Sequence, residues 1–121
     1  MRVMLTLCFV AALALVNASA FAQDASRFTS IIDDLPLMAD LVEVGEGVEF
    51  STPDGRIAEV AAEGPVARRA VLAFYAATLP QLGWTAADET HFVREGETLE
   101  LTFEQVGEIL RVQFTLAPEK K

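Results

Sequence analysis

The sequence predicts an α+β fold in which one main helix packs on an antiparallel sheet as a two-layer sandwich. After Pro65, apolar residues recur at 3.6-residue spacing, which is typical of a helix with one buried side. Residues 98–104 and 110–116 alternate apolar and polar side chains, which is typical of strands with one buried face. Because a helix stripe and a sheet face can bury each other, we expect about four to five strands in the order β-β-α-β-β-β, with a short N-terminal helix.

The first 22 residues have the pattern of a cleaved secretory signal peptide. Arg2 supplies a positive charge, residues 3–16 are almost unbroken apolar sequence, and small residues follow. Two A-x-A frames fit, ending at Ala22, which we favour, or at Ala20. The apolar run is shorter than the roughly 20 residues that span a bilayer. We therefore expect an exported protein, periplasmic or secreted, without stable membrane insertion after cleavage; an uncleaved anchor is the alternative.

The cysteine content indicates how the fold is stabilised, and the net charge indicates which kinds of partner it can bind. Cys8 lies inside the apolar run rather than at its end, so it is not placed for lipidation, and cleavage leaves a mature chain without a disulfide. The whole chain carries a formal net charge of −9. Since nucleic-acid binding depends on clustered Lys and Arg, this charge opposes a nucleic-acid partner. Surplus carboxylates that keep an exported protein soluble are the simplest reading; a specific cationic partner is the alternative.

Residues 23–47 are expected to form a short helix and an irregular lead-in. Apolar residues at helical spacing and a potential N-cap at Asp24 predict a helix that ends before Pro36. The helical stripe consists of Phe28, Ile31, Ile32 and Leu35. The single α+β domain is then expected over 48–117, followed by a charged tail at 118–121.

The first two strands are predicted on either side of a turn. Residues 51–55 read Ser-Thr-Pro-Asp-Gly, in which Pro fixes φ and Gly tolerates a positive φ. A short strand is expected at 48–50, and a returning strand at 56–62, where the alternation is weaker.

The main helix is predicted over 65–79. Pro65 suits the first helical position because its missing N–H is not needed there. Pro80 would remove a hydrogen bond inside the helix, so the helix should end or kink near residue 79. From this part of the chain we expect four residues in the core: Val71, Phe74, Leu82 and Trp84.

The C-terminal third predicts an antiparallel meander. Residues 91–94 lead to a two-residue turn at Glu95-Gly96. A four-residue loop at 105–108 would then pair residue 103 with 110 and residue 101 with 112. That register places one set of apolar side chains on the core face, namely Leu99, Leu101, Phe103, Leu110, Val112 and Phe114.

The helix, the Gly-Trp turn and the meander together resemble a module of small exported bacterial proteins and lipoproteins. The motifs are Phe74-Tyr75 with Leu79, then Leu82-Gly83-Trp84, Phe92-Val93-Arg94, Gly96 and Leu99-Glu100-Leu101. Leu35-Pro36 matches a Leu-Pro segment that often precedes the module, and 56–62 matches the strand before its helix. The resemblance covers roughly 34–117. It implies a shape and a cell-envelope setting, with no established activity, cofactor or catalytic residue; the lipoprotein cysteine is lacking.

Binding chemistry has several candidate positions, each with a simpler structural reading. Tyr75 and Trp84 could line a ligand pocket between helix and sheet, or fill the core. His91 lies beside carboxylates that could share a divalent metal with it, but a loop or strand-edge histidine explains it equally well. An acidic stretch could hold a weak calcium site, although it lacks a D-x-D-x-D-G loop. It comprises Asp33, Asp34, Asp40, Glu43, Glu46 and Glu49. We expect no metal and no cofactor.

Catalytic chemistry is not indicated. Three serines after the leader, Ser26, Ser30 and Ser51, stand in terminal or turn contexts, and only one imidazole is available to activate them. Glu100 and Glu104 share a strand face at a spacing that paired acid–base carboxylates could use. Strand alternation alone also places them there. We therefore expect a non-enzymatic protein without catalytic residues.

Three functional hypotheses remain at this point. The first is an exported, non-enzymatic envelope module that binds another envelope protein through a free sheet edge. The second is a periplasmic carrier of a small ligand or cation. The third is a hydrolase that uses carboxylates. The sequence leaves the identity of the partner and the oligomeric state open.

Overall fold

The computed structural model describes residues 27–119, which form one six-stranded antiparallel sheet and one short helix. The elements are β1 Val42–Thr52, β2 Gly55–Gly64, α1 Arg68–Thr78, β3 Thr85–Ala86, β4 His91–Arg94, β5 Glu97–Val106 and β6 Ile109–Pro118. The strands lie in the order β1-β2-β6-β5-β4-β3. Helix α1 is followed by a single 3₁₀ turn, Leu79–Leu82, and connects the β1–β2 hairpin to β3 at the opposite edge.

The predicted sandwich of one main helix on four to five strands is wrong. Strands account for 53% of the described residues and helix for only 16%. The helix is short because Ala67 is extended, so α1 begins at Arg68 rather than at residue 65. At the other end Pro80 has no N–H to donate, and the chain tightens into the 3₁₀ turn. The left-handed Gly83, at φ 92°, ends that turn.

The predicted N-terminal helix is also wrong over the residues that the structure describes; residues 24–26 lie outside them. Local hydrogen bonds replace the helical ones. The hydroxyl of Thr29 donates to the carbonyl of Ile32 at 2.7 Å, and the N–H of Leu35 donates to the same carbonyl at 3.0 Å. A bridge between Phe28 and Pro36 closes this turn. Ile32 and Leu35 reach the core without helical geometry and Ile31 packs against it, whereas Phe28 is 46% exposed.

The first hairpin begins earlier than expected. Strand β1 covers Val42–Thr52 instead of 48–50 and includes the second half of the expected lead-in, residues 42–47. Its pairing with β2 is interrupted between Val44 and Val48, where two extra residues form a bulge. Gly45 has a φ of 69° there, a conformation that favours glycine. The glycines that indicated an irregular lead-in therefore belong to a bulged strand.

In the meander, the two-residue turn at Glu95-Gly96 is confirmed, since Arg94 pairs with Glu97. The register predicted for the next hairpin is wrong. Residue 103 pairs with 112 rather than 110, because the turn is the two-residue Gly107-Glu108 and both strands extend to it. The error equals two residues, so the same side chains stay on the core face. The tail position Pro118 is the end of β6, and Lys120 and Lys121 lie outside the described residues.

The core lies between one face of the sheet and a cover made of α1, the 3₁₀ turn and residues 27–41. The cover contributes Ile32, Leu35, Leu37, Leu41, Val71, Tyr75 and Leu79. The sheet side contributes Ala58, Val60, Ala62, Trp84, Phe92, Leu99, Leu101, Leu110, Val112, Phe114 and Leu116.

Three expected core positions lie at its margin. Leu82 is 38% exposed, because it ends the 3₁₀ turn on the solvent side. Phe74 and Phe103 are half-buried and pack against the core from outside. The guanidinium of Arg68 lies over the Phe103 ring at 4.9 Å from its centroid, and so covers part of it.

Within residues 27–119, no helix has the length and apolar character needed to cross a membrane.

Candidate functional site at the free edge of the sheet

The two residues expected to line a ligand pocket are both in the core. Tyr75 is fully buried: its ring meets Phe114 edge to face at 5.2 Å, and its hydroxyl donates to the carbonyl of Pro36 at 2.8 Å. Burial raises the pKa of Tyr75 well above its usual range. Trp84 is buried under the guanidinium of Arg94, which lies 4.3 Å from its ring centroid. The structure does not bring Tyr75 and Trp84 together around an open pocket.

Arg94 instead fastens the N-terminal segment to the end of the helix. It forms an ion pair with Asp34 at 2.5 Å and donates to the carbonyl of Leu82 at 3.0 Å. A shallow open cleft of about 660 Å³ lies beside it, lined also by Glu95 and Glu119. The guanidinium is already engaged by Asp34, Leu82 and Trp84, so its first role is to hold the cover on the sheet.

His91 lies between two carboxylates on an exposed part of the sheet. Its Nδ1 is 2.9 Å from Asp88 Oδ1, and its Nε2 is 3.5 Å from Glu100 Oε2. The hydrogen bond to Asp88 raises the pKa of His91. Bonds from Thr90 and His91 lower the pKa of Asp88 to about 2. This geometry suits an imidazolium held between carboxylates.

The remaining candidates are dispersed. Ser30 donates to Glu43 at 2.6 Å and has no imidazole partner among residues 27–119, while Ser26 lies outside them. Glu100 contacts His91, whereas Glu104 pairs in register with Arg111. Over the described residues, no three His, Cys, Asp or Glu side chains are grouped closely enough to hold a metal ion.

The outer face of the sheet, opposite the core, carries an apolar patch at its β1 edge. Directly paired residues on antiparallel strands share a face, so Val48 lies with Glu59 and Phe50 lies with Ile57. Val48 is 50% exposed and Phe50 is 51% exposed. Val42, opposite Glu63, is 62% exposed on the same face. Large apolar side chains of β1 therefore point to solvent, not to the core.

Over the described residues, the backbone of β1 has no hydrogen-bonded strand on the side away from β2. Among residues 27–119, no backbone hydrogen bond joins 48–52 to a segment other than its own hairpin. The bulge interrupts regular pairing at 45–47, so the longest regular stretch of this edge is 48–52. We call the free backbone of 48–52, together with the outward side chains of Val48, Phe50 and Ile57, the edge surface. At the opposite edge, β3 offers only Thr85–Ala86.

Carboxylates surround the edge surface. Glu49 lies opposite Ala58, on the other side of β1 from Val48 and Phe50, and is exposed. Glu46 in the bulge and Glu59 on β2 are also exposed. Within the described part of the chain, none of these three has a cation within 4.0 Å.

Sequence reasoning missed most of the edge surface. The sequence predicts a strand that contains Val48 and Phe50, but it does not show that their side chains face outward. The sequence does contain a signal for this strand. On both sides of Gly45 and Gly47, glutamates alternate with apolar residues, namely Val42, Val44, Val48 and Phe50. The apolar face of an alternating strand is usually expected to face the core. Only the pairing with β2 shows that these side chains face outward.

The chain was compared with protein-family models, with curated proteins and with solved structures, and none of them matches it.

Proposed function

We propose that this protein is a non-enzymatic binding module that adds an extended segment of another polypeptide to the edge surface. The single observation behind the proposal is the free backbone of 48–52 beside exposed Val48 and Phe50. An added strand would form main-chain hydrogen bonds with β1, and its alternate side chains would cover the outward apolar ones. An exposed edge with apolar side chains is otherwise a site of aggregation, which natural proteins usually protect.

The geometry also limits the length of the bound segment. The free edge of β1 can pair regularly with an added strand over five residues, 48–52, because the bulge at 45–47 interrupts the edge on their N-terminal side. We therefore propose a short bound strand rather than a long augmented sheet. We also propose that binding takes place in the cell envelope or outside the cell, from the leader-like pattern of the first 22 residues.

A photocrosslinking amino acid placed at position 50 tests this proposal in the native compartment. The protein from position 50 should yield a reproducible partner with an extended segment at the crosslink. A second photocrosslinker at Ala76, which is exposed on α1, should not. Equal recovery from both positions would contradict the proposal.

Two double variants test whether binding depends on the edge surface or on exposed apolar side chains in general. Replacing Val48 and Phe50 by Thr keeps strand propensity and removes the apolar side chains, so the partner should be lost while the thermal midpoint stays near that of the wild type. The matched control replaces Val106 and Ile109 by Thr. These two residues are exposed on the same face, at the far end of β5 and β6. The control should keep the partner.

A further inference from the structure

We infer that the segment bound at the edge surface is basic and amphipathic, with Lys or Arg alternating with apolar residues. This inference rests on the proposed strand addition and specifies the chemistry of the partner. Strand pairing assigns each of the partner's side chains to a face, and the charges around β1 decide which residue type fits each face.

On the outer face, the partner's side chains would meet apolar surface. Residues opposite Val48 and Phe50 share the outer face with them, and Ile57 extends that surface behind Phe50. An apolar side chain at both positions would remove the exposed side chains of Val48 and Phe50 from water.

On the other face, the partner's side chain would meet negative charge. The residue between those two positions lies opposite Glu49, whose carboxylate is exposed. Glu46 lies next to this stretch in the bulge, and Glu59 lies beside Val48 on the outer face, so both add to the negative potential around β1. A Lys or Arg at this position would be attracted, while an Asp or Glu would be repelled by charges that no described cation neutralises.

The same charges disfavour a second copy of this chain as the occupant. Its net charge is −9, and pairing β1 with another β1 over residues 48–52 would bring the two Glu49 carboxylates close to each other. Like charges facing each other on paired strands are destabilising. A cationic segment from a different protein meets no such repulsion.

Labelled peptides of the type Val-Lys-Ile-Lys-Val, flanked by Gly-Ser, test the inference by fluorescence anisotropy on the purified protein. The matched peptides replace both Lys by Glu or by Ser. We expect the Lys peptide to bind about tenfold more tightly than the Glu peptide in low salt. The difference should shrink in high salt, because salt screens exposed charges.

Variants of the protein test whether the preference for the Lys peptide over the Glu peptide arises from the carboxylates around β1. Glu49→Gln with Glu59→Gln should reduce the preference for Lys over Glu several-fold. The control, Glu104→Gln with Glu108→Gln, removes the same charge from exposed positions on β5 and its turn and should leave the preference unchanged. Circular dichroism of each variant checks that the sheet is intact.

The outcomes separate this inference from the proposed function. Equal binding of the Lys and Glu peptides would overturn the basic partner and leave strand addition standing. Backbone N-methylated Lys peptides cannot donate to β1; if they bind as well as the unmodified one, or if no peptide binds, both proposals are overturned. A dimer joined through β1 in sedimentation experiments would overturn the choice of occupant.

Discussion

Trp84 and its near neighbour Leu82 show how two residues of one turn differ in their environment. Trp84 is buried between the sheet and Arg94, whereas Leu82 is 38% exposed at the end of the 3₁₀ turn. The difference follows from the direction of the chain: Gly83, at φ 92°, turns it so that Trp84 enters the core.

We predict that Trp84→Ala lowers the free energy of unfolding by about 3–5 kcal/mol, because a large buried aromatic leaves a cavity. Leu82→Ala, the control two positions away, should cost less than about 1 kcal/mol, since its side chain is already partly in water. Urea titration followed by circular dichroism measures both. Similar losses for the two variants would contradict the assigned environments.

Tyr75 is the only tyrosine of the chain, so its ionisation can be followed directly. We predict that no phenolate absorbance appears in the folded protein near pH 10, the ordinary value for tyrosine. Burial raises the folded pKa above that value, so this contribution to stability is fully present below about pH 10 and is lost as pH rises further. An ultraviolet titration with parallel circular dichroism should show ionisation only together with unfolding. Phenolate formation in a native spectrum would show that Tyr75 is accessible.

At the scale of the element, the turn between β3 and β4 is tied together by Asp88. Its carboxylate accepts from the Thr90 N–H at 2.8 Å and contacts His91 at 2.9 Å. The folded pKa of His91 is raised, so its pairing contributes stability below about pH 6.5 and loses it as pH rises through the folded value. The pKa of Asp88 is lowered to about 2, so its contribution is present above about pH 3.8 and is lost as pH falls toward about 2.

We therefore predict that Asp88→Asn lowers the pKa of His91, as measured by NMR titration of the imidazole. The amide oxygen can still accept from Thr90, so the turn should persist while the negative charge is lost. Glu108→Gln, which removes a charge from a distant turn, is the control and should leave the titration unchanged. An unaltered pKa in Asp88→Asn would show that this contact does not form in solution.

The end of β2 approaches the covering segment closely at Gly64. A Cβ added there would overlap the carbonyl oxygen of Asp40, which is backbone and cannot rotate away. By contrast, Gly107 has a φ of 60° and open space around it, so only its conformation requires glycine.

We predict that Gly64→Ala destabilises the protein by about 1–3 kcal/mol through overpacking. At Gly107, Ala should cost about 1–2 kcal/mol and Asn less, because Asn tolerates the left-handed region. Thermal unfolding of Gly64→Asn and Gly107→Asn separates the causes. If Asn were the milder replacement at residue 64 as well, sterics would not be the reason there.

Elements with short-range signals were predictable from the sequence. The alternation in β5 and β6 defined their core face, and the two-residue turn at Glu95-Gly96 followed from a local preference. The register of the last hairpin was not predictable, since a shift of two residues leaves the faces unchanged. The helical spacing of Ile31, Ile32 and Leu35 led to the wrong prediction of a helix. An irregular segment held by the hydrogen bonds of Thr29 can also place such side chains against the core.

The edge surface was less predictable than the fold. An alternating strand shows that one face is apolar, but the direction of that face depends on pairing with a distant strand. For β1, the partner β2 buries Ala58 and Val60, so Val48 and Phe50 face outward. The free edge itself follows from strand order, which depends on β2 pairing with β6 about 50 residues away.

At the scale of the whole molecule, residues 27–41 are part of the fold rather than an appendage. They bury Ile32, Leu35, Leu37 and Leu41, and the Pro36 carbonyl accepts from Tyr75. Without them, the core face of the sheet would keep only α1 and its 3₁₀ turn as cover.

We predict that a chain beginning at residue 42 does not fold cooperatively, although it contains all six strands. A chain beginning at residue 27 should show a cooperative thermal transition. If the shorter chain lacks fixed tertiary packing, it should bind a dye that recognises exposed apolar surface and lose its near-ultraviolet circular dichroism. A sharp transition at the same temperature for both chains would contradict the role of the cover.

The position of β6 has a consequence for when the chain can fold. Strand β6 is the last to be synthesised, yet it lies between β2 and β5 and brings Leu110, Val112, Phe114 and Leu116 to the core. A nascent chain that ends before Ile109 has two halves of a sheet and no strand to join them. Folding must therefore wait until Ile109–Pro118 has emerged, and until then the five earlier strands would expose the apolar surface of an incomplete core.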